Sequence, residues 1–153
     1  MRIKPLIVLL PLLVGCVIFS SREEGVQEEL DINRALWDVA AIHDYSMNFQ
    51  RLCLICPLEF LIPVRITVRG DTIYEVTDLD TEAPVAEPAE GAFLTIDGVF
   101  DVIQGAINQN AAEIDVRYNS MFGYPTDVSI DPSRSLFNDD TQFQIREFVE
   151  LMN

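Results

Sequence analysis

The sequence has one lysine, one histidine and one tryptophan, and each scarcity excludes something. Lys4 is the lysine, so basic character rests almost wholly on arginine, against 25 acidic residues. Without residues 1–15, whose Arg2 and Lys4 are both basic, the formal net charge moves from −15 to −17. A field of that sign repels polyanions and argues against nucleic acid as a partner. A single histidine and three cysteines leave too few ligands for a structural zinc site once one cysteine is otherwise engaged. No GxSxG nucleophile elbow occurs. The longest apolar stretch, Leu6 to Phe19, is 14 residues and is interrupted by Pro11, short of the roughly 20 that a membrane-spanning helix needs.

What is present at the N-terminus has a different logic. Arg2 and Lys4 give a positive start, Leu6 to Val14 a short apolar core, and Leu13-Val14-Gly15-Cys16 a small-residue end before a cysteine. This is the order of a secretory signal. LVGC resembles the lipobox of bacterial lipoproteins at all four positions. The resemblance implies diacylglycerol on the Cys16 thiol, cleavage before Cys16 and acylation of the new amine. Each buried methylene contributes about 0.8 kcal/mol, and two or three chains are needed for a stable anchor. Residues 1–15 are therefore expected to be a signal peptide, residues 16–29 a lipidated cysteine with an acidic tether, and residues 30–153 one domain. Val17, in place of aspartate, implies the outer membrane in a diderm host. The expected location is the envelope, facing the periplasm or the cell surface.

Within the domain, Leu30, Leu36, Trp37, Ala40 and Ala41 recur at helical spacing and predict a helix near 29–42. Tyr45, Met47 and Phe49 alternate with polar residues, as do Val64, Ile66 and Val68, with Ile73 to Thr77 as the return strand after Gly70-Asp71. Residues 78–92, acidic and then rich in proline and alanine, read as a mobile loop. Thr95 is a candidate N-cap for a second helix over 96–109, with Asp97 in its first turn. Three more strands follow, around Ile114 to Tyr118, Thr126 to Ile130 and Phe143 to Ile145. The expected fold is α+β in the order αβββ-αβββ: an antiparallel sheet of about six strands, both helices on one face. Arg65, Thr67, Arg69, Asp115, Arg117, Asp127 and Ser129 point to the other face, which should be wet.

Several segments occur in a familiar order: Tyr45-Ser46, the cysteines after that strand, Val64 to Val68, Thr95-Ile96-Asp97-Gly98-Val99-Phe100-Asp101, and Gly123-Tyr124-Pro125-Thr126 followed by Asp131. Over residues 36–149 they resemble the family of short secreted bacterial proteins known as domain of unknown function 6174. The resemblance implies export and fold rather than an activity. The family often spaces its cysteine pair more closely than Cys53-Leu54-Ile55-Cys56 does.

Few residues offer chemistry. With Cys16 lipidated, Cys53 and Cys56 are an even pair, and outside the cytosol an even pair favours a disulfide. Free thiols, a redox centre or a metal site are the alternatives. His43 beside Asp44 invites a triad reading, but no serine or cysteine stands in a nucleophile motif, and a solvated or backbone-bonded histidine accounts for it better. Asp78, Asp80 and Glu82 alternate, but Ala83 stands where an EF-hand loop counted from Asp78 needs glycine. Asp131, Asn138, Asp139 and Asp140 cluster in sequence. Met121 to Pro125 is an apolar loop, either folded back onto the sheet or presenting Phe122 and Tyr124 to a partner. No cofactor or metal is expected. The favoured function is a lipid-anchored, non-enzymatic binding or interaction module with an envelope partner. The alternative is a small hydrolase or metal-dependent enzyme that uses acidic residues.

Overall fold

A computed structural model describes residues 17–85, 92–136 and 139–152, with side chains from residue 24 onward. The leader 1–15, Cys16 and residues 86–91 of the acidic loop lie outside the described residues. The first helix, α1, is Val17–Ala40, and it runs through most of the segment expected to be a tether. Glutamate and glutamine are good helix formers, so a polar, acidic stretch suits an exposed helix as well as a linker. Gln27 supports it locally, bonding Asp31 one turn on and Gln104 across the fold. Ala41, at φ +50°, ends the helix.

Six strands follow the expected pattern: β1 (Tyr45–Leu52), β2 (Val64–Arg69), β3 (Thr72–Asp78), then β4 (Glu113–Tyr118), β5 (Pro125–Asp131) and β6 (Thr141–Glu150). They form one antiparallel sheet in the order β3-β2-β1-β6-β5-β4. The halves of the chain each supply three strands, and they meet at the central β1–β6 ladder. The second helix, α2 (Ile96–Asn108), lies between them in sequence. Thr95 caps it, its hydroxyl oxygen accepting from the Gly98 N–H at 3.1 Å.

The core lies between the helices and one face of the sheet. Tyr45, Met47, Phe49, Val64, Ile66, Val68, Val128, Ile130, Phe143 and Ile145 come from the sheet, and Leu30, Trp37, Val99, Phe100 and Ile103 from the helices. The Tyr45 hydroxyl reaches into this layer and accepts the Ile96 N–H at 2.9 Å, one of the donors that the helix start leaves unpaired.

One irregularity decides which side chains face out. Ser46 pairs with Val149 and Asn48 with Arg146, so Met47 opposes two residues, Glu147 and Phe148. Glu147 adopts φ +49° to make this bulge. The extra residue leaves Arg146 and Glu147 together on the polar side and turns Phe148 inward. There Phe148 meets Tyr124, Tyr45 and Trp37, with ring centroids 4.6, 5.3 and 5.8 Å away.

The first part of the acidic loop is ordered. The Asp78 carboxylate accepts from the Asp80 and Thr81 N–H groups, Thr77 bridges to Pro84, and Val85 N–H bonds the Val76 carbonyl. Ala92 and Phe93, just beyond the undescribed part, are buried in the core. Sparse apolar content alone does not register this local capping of the turn by Asp78.

Candidate interaction surface

Both helices pack on one side of the sheet, so the other side is open and polar. Its centre is an arginine–carboxylate network across four strands. Arg146 on β6 forks onto the Asp127 carboxylate of β5 and donates to the Thr126 carbonyl at 2.8 Å. Asn48 on β1 donates to Glu147 at 2.9 Å and accepts from Arg65 of β2 at 3.3 Å. Arg65 also stands 3.6 Å from Glu147. Arg146 holds the Asp127 carboxyl below its ordinary range by hydrogen bonding. Beside this network, Asp115, Arg117, Asp127, Ser129, Gln142 and Gln144 line a shallow hollow of about 240 Å³. The alternation made Arg65, Thr67, Asp115, Arg117, Asp127 and Ser129 legible. Arg146 follows the same alternation from Phe143 and Ile145 but was passed over, and Glu147 was not legible, because a bulge cannot be read from spacing.

His43 lies at the end of the sheet where α1 finishes. Its Nδ1 is 2.9 Å from both Asp71 oxygens, and both side chains are exposed. The hydrogen bond with Asp71 raises the His43 pKa, helped by the charges of Asp71, Asp44 and Asp97. Asp44 accepts the Gly70 N–H at 2.8 Å and stands 3.5 Å from Arg69. These bonds tie the β2–β3 turn to the end of α1 and account for the pair structurally. Asp97 is pushed up by burial and then by Asp71, against the nearby charge of Arg34.

Cys53 and Cys56 form a disulfide at the end of β1, with 5.6 Å between their Cα atoms. Around it Leu54, Ile55 and Leu58 are 75, 79 and 81% exposed. Tyr124 is buried against Trp37 and Phe148, and Phe122 is half-buried on Phe148. The exposed apolar side chain of that loop is Met121. Asn119 shapes the loop, its side-chain oxygen accepting from the Met121 and Phe122 N–H groups.

Arg51 was passed over in the sequence reading, although it continues the inward alternation of Tyr45, Met47 and Phe49. It sits 5.2 Å from the Phe60 ring and 4.9 Å from that of Phe143, and burial lowers its pKa. It lines a groove of about 450 Å³ with Val102, Ala106, Gln109, Thr141 and Phe143. Asp131, Asp139 and Asp140 place one oxygen each within 4.8 Å of one another. Calcium takes six to eight oxygens, so three carboxylates alone assign no metal.

A model of a family of unknown function matches residues 29–150. No curated protein matches the chain.

Proposed function

The chain belongs to that family, DUF6174, to which no role is assigned, and we propose that it is an exported, lipid-anchored envelope protein whose domain works by binding rather than by catalysis. In this reading residues 1–15 are a signal peptide, and Cys16 carries the lipid at the foot of α1. The domain faces the periplasm or the cell surface, at the outer membrane in a diderm host.

The observation that carries the binding role is the uncovered sheet face. A sheet with helices on one side only must keep the other side wet or give it to a partner. Here that side carries fixed charges of both signs, held by cross-strand bonds before anything docks. Preorganised polar groups lose less freedom on association and favour specificity over bulk affinity. The partner that suits this face is an envelope protein with complementary charges, not a polyanion, which the overall charge repels.

The test is crosslinked capture of the lipidated protein from its own envelope, with wild type beside Arg65→Glu and Arg117→Glu. A partner held by wild type and lost from both variants, which keep their fold by circular dichroism, supports the reading. Equal recovery with all three moves the interface elsewhere on the domain.

A further inference from the structure

The loop closed by Cys53 and Cys56 and the start of α1 share one end of the molecule. Helix α1 runs antiparallel to α2: Arg34 bonds Asp101 at 2.8 Å, and Gln27, two turns earlier, bonds Gln104. Helix α2 in turn runs alongside β1. Its start is bonded to Tyr45, the first residue of β1, and its last turns share a groove with Arg51 near the end of β1. The N-terminus of α1 therefore points to the end at which β1 runs into Cys53. From Val17 to Gln27 the helix adds about 15 Å in that direction, at 1.5 Å per residue. Cys16 directly precedes Val17.

At this end, among the described residues, lies the most exposed cluster of aliphatic side chains in one short loop. Leu54, Ile55 and Leu58 are each at least three-quarters exposed, and no charged residue lies between Arg51 and Glu59. The disulfide joins the two ends of the Leu54-Ile55 turn and keeps it short. Such a loop is unusual on a chain with 25 acidic residues. A solvent-facing turn would be expected to carry polar residues.

We propose that the Cys53–Cys56 loop is a second membrane contact, with Leu54, Ile55 and Leu58 entering the surface of the bilayer that holds the lipid on Cys16. The inference rests on the lipid-anchor reading and deepens it. Three aliphatic side chains would bind a bilayer weakly from solution. Tethered at the same end of the domain, they act at a high effective concentration and need little affinity of their own. The contact would fix the domain's tilt and turn the open sheet face sideways, parallel to the membrane normal.

The experiment uses the full chain processed in a bacterial host, purified from membranes and reconstituted in phosphatidylcholine vesicles with or without brominated acyl chains. Leu54→Trp reports on the loop and Tyr74→Trp, an exposed site on the edge strand β3, serves as the control. Native Trp37 is buried and gives a constant background. The expected result is at least twofold loss of the added emission for Leu54→Trp and no loss for Tyr74→Trp. Intact mass is read on the same sample. Lipid on Cys16 with an unquenched Leu54→Trp overturns the loop contact and leaves the anchor standing. A chain without lipid on Cys16 overturns the anchor, and the loop contact falls with it.

Discussion

Replacing Gly123 by alanine should be among the most damaging single-methyl changes in the domain. Gly123 holds φ +77°, and a Cβ there would overlap the Asn33 carbonyl oxygen and stand 2.8 Å from Leu36 Cβ. Two costs add. A left-handed backbone costs an alanine about 1–2 kcal/mol. Forcing an atom into a packed contact costs about 1–3 kcal/mol more, because α1 must move off the loop. Alanine also restricts the unfolded chain, which returns about 0.4–1 kcal/mol. The net expectation is a loss of about 1–5 kcal/mol. Gly70 supplies the control: it has φ +53° and open space where a Cβ would stand. Gly70→Ala should cost about 1 kcal/mol or less, so the difference between the two variants isolates the clash. Urea melts followed by Trp37 fluorescence give both values on one scale. Adding Leu36→Ala to Gly123→Ala should recover none of the loss, since alanine keeps the Leu36 Cβ and the other contact is the Asn33 backbone carbonyl. Equal losses for Gly123→Ala and Gly70→Ala would refute the claim that the loop and α1 are in fixed contact.

Four further outcomes are expected. Tyr45→Phe should cost about 1–3 kcal/mol in the same melts, because it leaves the buried Ile96 N–H without its acceptor; a loss under half of that would mean water replaces the hydroxyl. The His43 pKa is raised by Asp71, so their pairing stabilises the fold below the ordinary value of 6.5 and fades as pH rises through the raised value. Asp127 runs the other way: its pKa is lowered by Arg146, so its contribution is present above 3.8 and is lost as pH falls through the lowered value. An NMR titration of the single histidine checks the first, and Asp71→Asn should bring it back towards 6.5; no change would remove Asp71 as the cause. Melting temperature should rise between 0.01 and 1 M sodium chloride, as the Debye length shrinks from about 30 to about 3 Å and the excess of negative charge is screened. A flat or falling curve would mean that pairs such as Arg34–Asp101 and Arg69–Asp44 outweigh the repulsion.

The fold was readable because its two periodicities are clean. Tyr45, Met47 and Phe49 alternate without a break, and Val99, Phe100 and Ile103 keep helical spacing behind a threonine cap. What stayed hidden follows from interactions that spacing does not encode. The bulge at Glu147 shifts the last strand by one residue, so strict alternation from Phe143 and Ile145 would have put Glu147 inside and Phe148 outside. The acidic start of α1 looked like a tether because exposed helices and linkers draw on the same polar residues. The Asp78 turn looked unstructured because its stability comes from a carboxylate bonded to its own backbone. On the candidate surface, Arg65, Asp115, Arg117 and Asp127 were legible from their outward positions, whereas Glu147, the shared partner of Asn48 and Arg65, faces them only because of the bulge.

The central claim, a lipid-anchored chain with its domain at the membrane, is tested most directly by the intact mass and N-terminal peptide of the protein purified from the membranes of a bacterial host. The account predicts a chain that begins at Cys16 and carries diacylglycerol, and a Cys16→Ser variant that accumulates as uncleaved, unlipidated precursor. A wild-type chain that begins elsewhere, or one that leaves Cys16 unmodified, would contradict it.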